Sequence, residues 1–187
     1  MNNIYAPYPH PCCNNASNLH PYYTYDNYST YPFAWWNQFP PHFQNYHQCF
    51  LDLKDYGPEP FAINIEDATK QNTNFRTALW TGEFLQLTLM SINVGDDIGL
   101  EIHYDHDQFI RIEQGQGIVK MGDCEDKLYF QAQVYEDYAI FIPAGKWHNL
   151  INTGCVPLKL YSIYAPPEHP HGTIHETKEN AQGYWGY

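Results

Sequence analysis

Hydrophobic and polar positions alternate with a period of two along most of the chain beyond residue 83. "FLQLTLMSI" (84–92) alternates over most of its length, and "GLEIH" (99–103), "QFIRIE" (108–113) and "GIVKM" (117–121) follow at short intervals. "KLYFQAQVY" (127–135), "YAIFIP" (138–143), "HNLIN" (148–152) and "LKLYSIYA" (158–165) continue the series. Glycines or Asp/Asn clusters separate them, as in "NVGDD", "EQGQG", "MGDCED" and "NTG". Short strands at regular spacing with turn signals between them predict an all-β sandwich or barrel. One helical piece is expected over Ile65–Gln71, with Asn64 as its N-cap. The tail after residue 165 is expected to wrap the outside and to end in a helical turn near Glu176–Gln182.

Composition divides the chain near residue 50. Residues 1–50 hold no Lys or Arg and a single acid, Asp26; they are built of Tyr, Pro, Asn and His. Prolines at 7, 9, 11, 21, 32, 40 and 41 block regular helix and central strand. The reading is a low-complexity Tyr/Pro-rich arm over residues 1–53 and a globular domain over 54–187. Aromatic residues make up 17% of the whole, with 17 tyrosines, so the arm is unlike a charged disordered tail.

Net charge is −12 and the pI is near 5.0. That repels phosphate backbones, so nucleic acid is not an expected partner, nor is an anionic lipid surface. No apolar run approaches the roughly 18–20 residues of a membrane helix. The N-terminus lacks the basic start and apolar stretch of a secretory signal, so a cytoplasmic protein is expected. Five cysteines (Cys12, Cys13, Cys49, Cys124, Cys155) are odd in number and irregular in spacing, which does not suggest a disulfide framework.

The chemistry lies between Gly95 and Asn152. Two spaced signatures occur there: Gly95-x5-Glu101-x-His103-x4-Gln108-x6-Gly115, and Pro143-x-Gly145-x2-His148-x3-Asn152. Taken singly, His103 and His148 are ordinary strand histidines, and Gln108 draws no comment. Glu101 and His103 stand two apart and would share a strand face. Gln108 opens the next strand and would lie opposite them across a hairpin. An alternative register takes His103 and Asp105 as the paired ligands, with His106 as a further candidate. Asp107 and Arg111 are candidates for groups behind the site or facing substrate, although Arg111 has the strand parity opposite to Gln108 and would face outward.

The two signatures resemble those of the cupin superfamily. The wider pattern of "DQFIRIEQGQG" and "IPAGKWHNLINTG" onward is similar to small bacterial single-domain cupins labelled mannose-6-phosphate isomerase-like, over roughly residues 54–180. Where such cupins usually carry His-x-His followed by Glu, this chain has Glu-x-His followed by Gln, and Asp137 stands where a Gly is usual. The resemblance implies a cupin double-stranded β-helix (a jelly-roll barrel) that holds one divalent transition metal (Mn, Fe, Ni, Co or Zn) on Glu101, His103, Gln108 and His148. It implies a homodimer and a small-molecule substrate. The first expectation for function is Lewis-acid, isomerase-like chemistry on a small sugar-like or hydroxy-carbonyl compound, with Glu101 as ligand or general base. An Fe/Mn/Ni-dependent dioxygenase is a second expectation. A third is a structural protein, spore-coat-like, that assembles at a spore surface through the Tyr/Cys/His-rich arm.

Overall fold

The computed structural model describes residues 50–182. The expectations for the Tyr/Pro-rich arm, and for Cys12, Cys13 and Cys49, fall outside the described residues.

The chain enters through Leu51 and Leu53, which pack against a helix, α1 (Ile65–Gln71). Asn64 caps α1 as expected, its Oδ1 accepting from the amides of Glu66 and Asp67 at 3.1 and 3.3 Å. Gln71 holds the entering segment by accepting from Leu51 N and donating to Leu51 O.

Strands follow in chain order: β1 (Arg76–Thr81), β2 (Gln86–Ile92), β3 (Asp107–Gln114), β4 (Gln116–Gly122), β5 (Phe130–Tyr135), β6 (Ala139–Ile142), β7 (Trp147–Asn152), β8 (Leu158–Ala165) and β9 (Ile174–His175). A second helix, α2 (Lys178–Gln182), ends the described chain near the helical turn expected there. The strands form two antiparallel sheets, ordered β6-β3-β8-β2-β1-β9 and β5-β4-β7. The all-β expectation is met.

One apolar cluster fills the space between the sheets. Ile110 and Ile112 (β3), Met90 and Ile92 (β2) and Leu158 and Leu160 (β8) meet Val119 and Met121 (β4), Val134 (β5) and Leu150 (β7) from the opposite sheet. Strictly alternating positions supply them, as two facing sheets require. A second cluster, Ala68, Leu79 and Leu89 with Leu87 and Tyr161, lies between the larger sheet and α1. That sheet is therefore covered on both faces over β1, β2 and β8, and those strands lose the clean apolar–polar alternation. This is why β1 was not expected: "RTALWT" is buried at four successive positions.

Two further expectations are corrected. Residues 99–103 form no strand; Glu101 makes an isolated bridge to His148. Gln108 lies in no hairpin with that segment, because β3 pairs with β6 and β8. Cys124 is an exposed free thiol.

Candidate metal centre

The site gathers at one end of the two sheets, where β3 and β7 begin and β8 ends. Glu101 and His148 form a mutual backbone pair: Glu101 N donates to His148 O at 3.0 Å, and His148 N donates to Glu101 O at 2.9 Å. Residues paired in this way project their side chains to the same face. Glu101 Oε1 accordingly sits 3.3 Å from His148 Nε2. His103 is fixed two residues on, where its carbonyl accepts from Gly145 N at 2.7 Å. Gly145 has φ 76°, a left-handed conformation that explains the glycine of the second signature. Asp107 steadies the same turn by accepting from Ala144 N at 2.8 Å. His103 Nε2 then lies 3.6 Å from Glu101 Oε1.

One donor atom each from Glu101, His103 and His148 fall within 4.8 Å of one another. Glu101 Oε1, His103 Nε2 and His148 Nε2 are all buried without a hydrogen-bond partner. His148 Nδ1 faces the Lys146 carbonyl at 2.9 Å. A carbonyl can only accept, so Nδ1 carries a proton, and Nε2, which faces Glu101, is the nitrogen left to bind a metal once it gives up any proton of its own. Gln108 contributes from the inner face of β3. Its Nε2 donates to Ser162 Oγ at 2.9 Å and to Tyr164 Oη at 3.2 Å, while Oε1 is buried and unpartnered. The amide is thus oriented with its acceptor free. Two imidazole nitrogens, a carboxylate and an amide oxygen make a mixed N/O donor set that suits Mn, Fe(II), Co, Ni or Zn with positions left open. Four unpaired buried polar atoms are costly unless something binds them, so these residues fit a metal ion.

Burial opposes the charge on Glu101, but the nearby His103 and His148 nitrogens and the Arg76 guanidinium outweigh it and hold the carboxyl well below the usual range. Burial likewise works against protonation of His103, yet the Glu101 carboxylate, with Glu168 beyond it, raises its pKa. Burial raises the Tyr164 hydroxyl, leaving it a neutral donor or acceptor at the floor of the site.

Sequence reasoning missed Glu168. It lies in the tail, and its carboxylate spans two imidazoles: Oε1 is 3.6 Å from His103 Nδ1 and Oε2 is 3.4 Å from His106 Nε2. His103, His106 and Glu168 form a second group with metal-ligand spacing, sharing His103 with the first. The His103 and His106 rings stack, with centroids 4.7 Å apart. His106 is buried and His106 Nδ1 meets Asp105 at 2.9 Å, so the alternative register's Asp105 touches the site only through His106. Arg111 faces outward as expected and pairs with Asp137 at 2.6 Å. Asp137 takes the left-handed conformation, φ 70°, that its glycine-like position requires.

A family profile for the cupin domain matches residues 88–164. YrkC of Bacillus subtilis (strain 168) is 66% identical over 137 residues, which are 73% of this chain and 74% of that protein. Protein L612 of Acanthamoeba polyphaga mimivirus is 39% identical over 124 residues, 66% of this chain and 76% of its own length. The crystal structure of BH2720 from Bacillus halodurans superposes with a TM-score of 0.69 at 65% identity, covering 70% of this chain and 98% of that one. With its two antiparallel sheets, its paired signatures and these relatives, the chain belongs to the cupin family.

Proposed function

We propose that this chain is a metal-dependent single-domain cupin. Glu101, His103, Gln108 and His148 would hold one divalent transition metal, and the substrate would be a small sugar-like or hydroxy-carbonyl compound that undergoes isomerase-like chemistry. The observation that carries the reading is the convergence of three unpartnered buried donor atoms from Glu101, His103 and His148; Gln108, whose Oε1 is buried and free, is assigned as the fourth ligand from its place in the first signature. A bound metal would supply Lewis acidity, polarising a substrate carbonyl.

The chain's own residues do the rest. Lys146 O fixes the His148 tautomer. Ser162 and Tyr164 orient Gln108. Glu168 faces the outer nitrogen of His103 and would orient that ring as a ligand, since a carboxylate behind a metal-bound histidine raises its basicity. Glu101 is the general base of this reading: its carboxylate would take a proton from a carbon beside the carbonyl, as a weak base because its carboxyl is held low.

The partner expectations fit this reading: a homodimer, a small-molecule substrate, and neither nucleic acid nor membrane. Among the described residues, no helix is long and apolar enough to cross a membrane.

The test is elemental analysis of protein purified without chelators, beside the His148→Ala variant. Near-stoichiometric metal in the wild type and about a 10- to 100-fold weaker hold in the variant are expected. Wild-type protein without stoichiometric metal would remove the proposal. Oxygen uptake with candidate diols would replace the isomerase reading by the dioxygenase one.

A further inference from the structure

Arg76 is the residue the metal reading does not use. It stands on β1, in register with Met90 on one side and His175 on the other, and is only 6% exposed. Its Nη2 has Met90 Sδ at 3.9 Å as a weak neighbour, and the Phe75 ring lies 5.7 Å from its Cζ. Its Nε is buried without a hydrogen-bond partner. Among the described residues no carboxylate comes within ion-pair distance of it. A buried guanidinium with no carboxylate at ion-pair distance is costly unless a bound anion pairs with it.

The same side chain lines a cavity of about 480 Å³, together with Glu168, His169, Thr173 and His175. The cavity adjoins the candidate metal centre, since Glu168 forms part of its wall and also faces His103 and His106. His169 is held there by its backbone: its N donates to Gln86 Oε1 at 2.9 Å and its O accepts from Gln86 Nε2 at 2.8 Å. Its ring Nε2 is buried and unpartnered. Burial and the Arg76 charge push His169 down to about 3, so it is neutral near pH 7.

We propose that Arg76, with His169 as a second hydrogen-bonding group, binds the carboxylate of the substrate, which makes that substrate a small hydroxy- or keto-carboxylate anion. The geometry selects a single negative charge. One guanidinium is the lone formal cation in the cavity wall, and the Glu168 carboxylate stands in the same wall. A phosphate dianion would face that repulsion with too few donors, whereas a carboxylate matches the planar fork of arginine. The proposal rests on the metal-site reading for the second half of the substrate, the hydroxyl or carbonyl, and the test separates the two.

Calorimetric titrations of the full chain with glycolate, its neutral analogue glycolamide and inorganic phosphate decide it, with metal content measured on the same samples before and after chelator treatment. Glycolate should bind at least about tenfold more tightly than glycolamide and more tightly than phosphate. R76Q should lose about tenfold or more for glycolate, leave glycolamide unchanged and keep its metal; R76K should retain part of the preference. A carboxylate held by the metal alone would survive R76Q, and that result overturns the proposal. So does equal binding of glycolate and glycolamide, or tighter binding of phosphate; these wild-type comparisons decide the matter even where R76Q does not fold. Arg76-dependent glycolate binding in a wild type without metal supports the carboxylate site and sinks the metalloenzyme reading instead.

Discussion

Asn152 closes the second signature, yet it stands at the far end of β7 from His148 and does its work in packing. The side chain is 1% exposed. Its Nδ2 donates to Ile92 O and to Val156 O, both at 2.9 Å, and its Oδ1 accepts from Gly154 N at 2.9 Å. It thereby ties the end of β2 to the turn that leads into β8. Asn152→Ala removes three hydrogen bonds, at about 1 kcal/mol each, so about 3 kcal/mol of stability is at stake. For a domain of this size that lowers Tm by about 10 °C. Asn152→Asp retains the acceptor for Gly154 but turns a carboxylate toward two carbonyl oxygens, and should cost at least as much. Urea denaturation of chelator-treated protein measures this without a contribution from metal binding. Metal stoichiometry of the refolded variant should match wild type. A loss below about 1 kcal/mol refutes the hydrogen-bond assignment. A metal deficit like that of His148→Ala refutes the separation of structural from ligand positions within one motif.

Metal retention should fall as pH drops below neutral, because protons compete for the two imidazoles while Glu101, whose carboxyl is held low, remains charged; dialysis across a pH series followed by elemental analysis checks it, and full retention at about pH 4 contradicts it. His169, pushed down to about 3, contributes stability that is present above the ordinary histidine range and lost on acidification, by about 1.4 kcal/mol per unit below about 6.5. His169→Gln should flatten that acid limb in denaturation measured on metal-free protein, and an unchanged slope would show that the ring is solvated. Ile112→Ala, at a fully buried position between the sheets, should cost about 2–5 kcal/mol, read by the same urea titration; a smaller loss would mean the two sheets close over the gap.

The fold was legible because β3, β4, β6 and β7 bury alternate positions, and that writes a period of two into the sequence. Where both faces are covered, as in β1, the period vanishes and the strand passed unnoticed. Glu101, His103 and His148 could be singled out because their spacings resemble the two cupin signatures, and the backbone bonds of Glu101 to His148 and of Gly145 to His103 show what those spacings serve. The hairpin expected for Gln108 failed because sequence neighbours are not sheet neighbours here: β3 finds its partners in β6 and β8. Glu168 and His169 had no signal at all. They sit after the last long strand, in a segment rich in Pro and His, with no periodicity to fix which way they face.

On the proposed metal site, the exchange of Glu for His at position 101 follows from charge balance. A neutral histidine there would leave the buried Arg76 guanidinium facing a divalent metal with only Glu168 to offset them. Glu101 adds a second negative charge, and the depressed carboxyl shows that the charge is favoured where it sits. With a divalent metal bound there, the metal and Arg76 would exceed the two carboxylates by one unit of positive charge. A monoanionic substrate completes the neutralisation, whereas a neutral one leaves Arg76 buried beside a site already short of negative charge. The neutral Gln108 belongs to the same balance: a glutamate at that position would cancel the surplus before substrate arrived. On this argument Gln108→Glu should strengthen metal binding and weaken glycolate binding in the same protein. A variant that gained affinity for both would show that charge balance does not set the substrate preference.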